Sequence, residues 1–300
     1  MANTIDPVLI DISNAFYTGN YQQCINLAEK VKKPILEKDV FMYRSYLATN
    51  RYRVVIEEIS PSSGDLLSIR LFADYLMNKN KFADLIEVFE NKIAVSEGIN
   101  EVWKIIASIM YVHENQLEEA LRILNGSTNL ESLAIQVYIY LRMCRLDMAK
   151  KVLTVMTEKN DDDTLTQLAQ AWLNIEIGGE KYQDAHYIFE DFKDKLTPSV
   201  LLLNNLAVCA IGQHKFDEDT QAYLRDGLDK ESNNYDLLVN YIFLAQQTDK
   251  AAEVTVNRYL SLLKETCKNS ELVEELAKKE NEFDKLCSNY TFKQATKTSS

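Results

Sequence analysis

One motif recurs eight times along this 300-residue chain: the apolar end of a helix pattern, a short polar turn, an aromatic residue or Leu in most copies, then a second amphipathic helix pattern. It reads FYTGNYQQCINLA, LATNRYRVVIEEI, LMNKNKFADLIEVF, YVHENQLEEALRIL, YLRMCRLDMAKKVL, EIGGEKYQDAHYIF, AIGQHKFDEDTQAY and LAQQTDKAAEVTV. Such self-similarity outranks local propensity, because one helix pair cannot bury its apolar face alone and must stack on the next. The second helices open at Tyr21, Tyr52, Phe82, Leu117, Leu146, Tyr182, Phe216 and Ala251, with gaps of 31, 30, 35, 29, 36, 34 and 35 residues.

These gaps scatter around the period of about 34 residues that marks tetratricopeptide repeats. The predicted fold is therefore all-α: a tetratricopeptide-like solenoid of about eight helix pairs plus a terminal helix. Eight Gly and four Pro leave too few turn formers for hairpins or barrels. Two residues before each opening position stand Gly19, Asn50, Asn80, Asn115, Cys144, Glu180, His214 and Asp249, mostly types that tolerate the left-handed end of a helix. Three residues after it, where paired helices approach most closely, stand Cys24, Val55, Leu85, Ala120, Ala149, Ala185, Asp219 and Val254. Asp219 breaks the small-residue pattern, so the seventh pair is expected to be looser or shifted. Seven after it stand Ala28, Ile59, Phe89, Leu124, Leu153, Phe189, Tyr223 and Arg258, the first seven being candidate knobs toward the next repeat.

Pro34, Pro61 and Pro198 fall in inter-repeat gaps and Pro7 opens the first helix, so none interrupts a helix interior. Asn160-Asp161-Asp162-Asp163 before Thr164 reads as capping oxygens and negative charge at a helix N-terminus rather than a metal site. Gly178-Gly179 reads as a helix end. Residues 1–290 are expected to form a single array, closed by an amphipathic helix over about 270–290 with Leu272, Leu276, Phe283, Leu286 and Tyr290 near one stripe. That helix is expected to cap the core, with docking of a partner helix as the alternative. Residues 291–300 read as a disordered polar tail.

With 33 basic and 45 acidic residues the net charge is −12, which disfavours nucleic acid and anionic lipid as direct partners. No stretch reads as a secretory signal or a membrane span, and five cysteines without CxxC spacing suggest reduced cytosolic thiols. His113, His186 and His214 stand apart, and HExxH, GxSxG, Walker and GxGxxG motifs are missing. No catalytic, cofactor or metal set is expected, and the chain reads as a non-enzyme.

An array of this kind binds protein through the face lined by the first helix of each pair. Counting back from the opening residues places Phe16, Ile109, Tyr138, Leu141, Asn174, Asn204, Val208, Val239 and Phe243 as candidate groove residues. Arg44 and Asn174 stand alone, without the Lys, Arg and Asn clamp that grips a carboxylate tail in chaperone receptors of this fold. That speaks against a generic adaptor for a peptide tail, the alternative reading. A largely apolar trough instead implies a persistent interface.

DDDTLTQLAQAWLNIEIGGEKYQDAHYIFEDF (161–192), PSVLLLNNLAVCAIGQHKFDE (198–218), NAFYTGNYQQCINLAEKV (14–31), DVFMYRSYLA (39–48), RLFADYL (70–76), VNRYLSLLKE (256–265) and KENEFDKL (279–286) together resemble the epsilon subunits of coatomer, in the same order over about residues 8–290. The resemblance implies a cytoplasmic, non-enzymatic subunit of the seven-subunit vesicle coat, peripheral on Golgi membrane and coated vesicles. It implies a role in Golgi-to-endoplasmic-reticulum retrograde and intra-Golgi transport. The implied partner is the C-terminal domain of the coatomer alpha subunit, around which the repeats curl, and a β-hairpin or strand-like protrusion would suit the groove. Membrane contact would be indirect, through the coat and a small GTPase.

Overall fold

The computed structural model describes residues 7–95, 101–248, 252–268 and 270–290. Asp249, Ala251 and the tail from Thr291 lie outside the described residues. Among the described residues all regular structure is helical. The α-helices are α1 (Pro7–Tyr17), α2 (Tyr21–Lys30), α3 (Leu36–Ala48), α4 (Tyr52–Glu58), α5 (Leu67–Met77), α6 (Phe82–Val95), α7 (Glu101–His113), α8 (Leu117–Leu124) and α9 (Leu130–Arg142). They continue as α10 (Leu146–Lys159), α11 (Thr164–Ile177), α12 (Lys181–Lys195), α13 (Val200–Gly212), α14 (Glu218–Lys230), α15 (Tyr235–Thr248), α16 (Ala252–Thr266) and α17 (Glu271–Asn289). Contacts divide the chain into two compact units, with the division along the sequence between Lys215 and Phe216.

In the first unit, α1 to α13, a left-handed residue ends the first helix of most pairs. Gly19, Asn50, Asn115, Cys144 and His214 have φ between 55° and 81°. Each turn carries the same two backbone bonds: Asn20 N–H to Ala15 O (2.8 Å) and Gly19 N–H to Phe16 O (3.1 Å), repeated at Arg51/Asn50, Gln116/Asn115, Arg145/Cys144 and Lys215/His214. This is the Schellman closure, which satisfies carbonyls that a helix end would leave orphaned. Asn80 and Glu180 depart from the pattern: Asn80 lies in a short 3-10 turn capped by Asn78, and the sixth pair turns at Gly178 and Gly179 instead.

The close-approach column is buried as its side-chain sizes require. Cys24, Val55, Ala120, Ala149 and Ala185 are fully excluded from solvent, while in the third pair Ile86 takes the place expected of Leu85. The knobs Ala28, Ile59, Phe89, Leu124, Leu153 and Phe189 are also buried. Asp163 caps α11, its carboxylate accepting the Leu165 N–H at 2.9 Å, as the acidic run predicted.

The first unit folds back on its own beginning. Helix α1 lies beside the N-terminal ends of later first helices: Thr164 Oγ1 donates to Asn14 Oδ1 (2.7 Å) and Asn20 Nδ2 to the Thr197 carbonyl (2.7 Å). Glycine suits position 19, since a Cβ there would sit a tight 3.3 Å from the Leu201 Cβ in a left-handed backbone. The centre of the seam is ionic: Arg44 of α3 pairs with Glu131 of α9, the side chains 10% and 13% exposed, and the Tyr17 hydroxyl donates to the same carboxylate at 3.1 Å. Burial and the Glu131 charge push the Tyr17 phenol well above its ordinary pKa, so it remains a donor.

The second unit, α14 to α17, bears out the shift expected of the seventh pair and corrects three other expectations. Asp219 is exposed because α14 begins at Glu218, with Asp217 accepting the Thr220 N–H (2.9 Å); Thr220 is the buried small residue, one position later. The seventh pair is thus shifted, and Leu224 replaces Tyr223 as the buried knob. In the eighth pair Val254 is 75% exposed, so the column does not extend to α16. Helix α17 forms where expected but buries no residue, and its apolar stripe faces solvent instead of capping the core.

Removing one member of a buried ion pair strands the other. Arg44→Ala is expected to destabilise the first unit by about 3 kcal/mol, read as a lowered unfolding midpoint in calorimetry. Exposed Arg145→Ala, whose Asp147 partner is in water, is expected to leave that midpoint unchanged.

Candidate partner-binding groove

Within the first unit, α9, α11 and α13 each turn the same helical stripe toward one groove of about 370 Å³. Helix α9 contributes Tyr138, Leu141 and Arg142, α11 contributes Trp172, Ile175 and Glu176, and α13 contributes Asn205 and Val208. The spacing i, i+3, i+4 repeats because side chains three and four apart share one helix face. Tyr138 is 40% exposed although it is a large apolar side chain in mid-helix. Arg142 and Glu176 supply opposite charges to an otherwise mostly apolar lining, and Arg142 Nη2 donates to Asn115 Oδ1 at 3.3 Å. The Asn205 Nδ2 is buried and has no hydrogen-bond partner. A buried amide left unpaired costs about 1–3 kcal/mol, which an acceptor arriving in the groove would relieve.

The structure brings together Tyr138, Leu141 and Val208 of the residues expected from sequence. Asn174 does not join them. It is 4% exposed, accepts from Gln170 Nε2 at 2.9 Å and lies on another wall of α11. The cause is the turn: in five of the pairs the left-handed residue stands two positions before the opening residue assigned from sequence, but Gly178 stands four before Tyr182. Counting back from Tyr182 therefore overshoots by two, and Trp172 takes the position assigned to Asn174. Asn204 is half-buried and does not line this groove; Asn205, about 100° further round the helix, does. Counting from the helix-ending glycine would have found Trp172 from sequence.

Phe16 belongs to the seam, not the groove. Its ring lies 5.4 Å from Phe41 and the Arg44 guanidinium covers it at 4.7 Å. Ile109 is half-buried against the core formed by α3 to α9. Val239 and Phe243 are on α15 in the second unit, Val239 half-buried and Phe243 42% exposed with its ring 6.4 Å from Phe216. Arg44, expected to stand alone, is held by Glu131.

Stacked helix pairs with Schellman turns and an open apolar face on the first helices define a protein of the tetratricopeptide-repeat class. Solved structures share the fold: a tetratricopeptide repeat protein from Parabacteroides merdae (TM-score 0.57, 15% identity, 91% of this chain and 98% of that one) and the Cut9–Hcn1 hetero-tetramer of the APC/C (TM-score 0.65, 11% identity, 92% and 55%). The family is more specific. The family model for the coatomer epsilon subunit matches residues 6–291. Coatomer subunit epsilon-2 of Arabidopsis thaliana is 34% identical over 282 residues, covering 92% of this chain and 94% of the relative. The epsilon subunit of Dictyostelium discoideum is 34% identical over 276 residues, covering 86% and 90%, and that of Caenorhabditis elegans is 29% identical, covering 93% and 97%. The chain belongs to the coatomer epsilon subunit family and is a COPI vesicle-coat subunit. Among the described residues no helix is long and apolar enough to cross a membrane.

The placements separate packing residues from groove residues. Phe16→Ala is expected to cost about 2 kcal/mol of stability because it opens space under Arg44. Tyr138→Ala is expected to stay within about 0.5 kcal/mol of the parent. Urea unfolding of both variants checks this pair.

Proposed function

We propose that this chain binds the C-terminal domain of the coatomer alpha subunit and stabilises it in the coat. In this reading it serves retrograde Golgi-to-endoplasmic-reticulum and intra-Golgi transport, as a cytoplasmic protein peripheral to Golgi membrane and coated vesicles. The role is non-enzymatic: partner burial, with no bond made or broken.

The observation that carries the reading is the groove of Tyr138, Leu141, Trp172 and Val208, an apolar surface with an unpaired amide at Asn205. Apolar side chains supply most of the association free energy when water is excluded from them. A strand-like or hairpin protrusion suits the site, because its exposed main-chain carbonyls can accept from Asn205 while its side chains enter between the helix stripes. By mass action, a partner that binds only the folded form raises the stability of both chains.

The test is recovery of alpha coatomer with the tagged chain from cytosol, washed at moderate and at high salt. Retention in both washes is expected for an apolar grip, since salt screens charge and leaves apolar burial intact. Tyr138→Asp is expected to abolish recovery while circular dichroism stays unchanged, and Phe243→Asp tests the same for α15. Full recovery with Tyr138→Asp would remove the groove from the interface.

A further inference from the structure

Beyond the groove, we infer that α17 is a separate docking helix for a partner helix whose apolar seam is flanked by Lys or Arg. The stripe Leu272, Leu276, Lys279, Phe283, Leu286 and Tyr290 is spaced 4, 3, 4, 3, 4. That is the alternation that keeps one seam facing one helical partner. The seam opens toward its C-terminal end: Leu276 is half-buried and Leu272 41% exposed, while Phe283 is 66%, Leu286 62% and Tyr290 79% exposed, and no residue of α17 is buried. Lys264 of α16 holds the other flank through Glu280 at 2.8 Å.

Charge selects the occupant. Glu275 and Glu282 flank the seam on one side, Glu282 paired in water with Lys279 at 3.0 Å, and Glu280 flanks it on the other; α17 carries six carboxylates against three lysines, a net negative surface that such exposed pairs do not cancel. A second copy is disfavoured in either orientation. Antiparallel pairing sets Glu275 and Glu282 against themselves, and parallel pairing sets Glu275 against Glu280 and Lys279 against Lys279. Residues 291–300 offer only Phe292 as a large apolar side chain, too little to cover the seam. A basic-flanked helix meets both requirements, an apolar seam and positive rims.

The inference stands independently of the alpha-subunit reading, and its test uses the full chain. The probe is a synthetic helical peptide with Leu at its seam positions and Lys at both flanks; the control peptide carries Glu at the flanks instead. Fluorescence anisotropy is expected to show binding of the Lys peptide, roughly tenfold or more tighter than the Glu peptide. Phe283→Asp adds negative charge yet is expected to weaken binding of the Lys peptide roughly tenfold. The double substitution Glu275→Lys and Glu282→Lys is expected to shift the preference toward the Glu peptide. No binding, equal binding of both peptides, or Lys-peptide binding that Phe283→Asp does not weaken would overturn the proposal. So would self-association of the chain, in sedimentation, that Phe283→Asp abolishes.

Discussion

The left-handed residue that ends the first helix in most pairs sets the register on which the groove depends. It stops one helix, aims the next, and fixes which side chains of the first helix face the groove. Asn and Gly adopt this conformation at little cost, whereas Cys144 and His214 adopt it against steric preference and are held there by the two Schellman bonds. Tyr138 and Val208 fall in equivalent places, each six residues before the left-handed residue that ends its helix, Cys144 and His214. Counted in the same way from Gly178, the lining position falls on Trp172. A local backbone choice thereby determines the chemistry of a surface more than one helical turn away.

The seam obeys a different constraint. Desolvating Arg44 and Glu131 is expensive, and a well-packed apolar pair would serve stability as well or better. What the ion pair adds is geometry. A guanidinium has fixed donor directions, Glu131 stands in the first turn of α9, and Tyr17 takes up further acceptor capacity on the carboxylate. Phe16 beneath the guanidinium fills the remaining apolar side. A mismatched closure would leave a buried charge unpaired, so the seam penalises a first helix placed against the wrong later helix.

The repeat columns made the helix pairs, their turns and most of the core legible, because each column reports contacts between residues close in sequence. Asp219 even flagged a pair whose second helix is displaced, and its exposure follows from the Asp217 cap. The seam was illegible for the opposite reason: Arg44 and Glu131 are 87 residues apart, and nothing in either repeat marks them as partners. Counting from one reference residue also assumed equal turn lengths, which cost the assignment of Asn174. The apolar stripe of α17 was visible, but periodicity alone could not tell a face that caps a core from one that meets water.

The two open surfaces differ in the force that would select a partner. In the groove, Arg142 and Glu176 carry opposite charges and little net field, so selectivity there rests on shape and on the single amide of Asn205. Along α17 the apolar seam is generic, and in the proposed docking the acidic flanks would discriminate. Contacts of the first kind persist as salt rises, while the selectivity of the second fades within the screening length of the buffer. A chain carrying both can hold one partner through every change of ionic strength and exchange another as conditions shift.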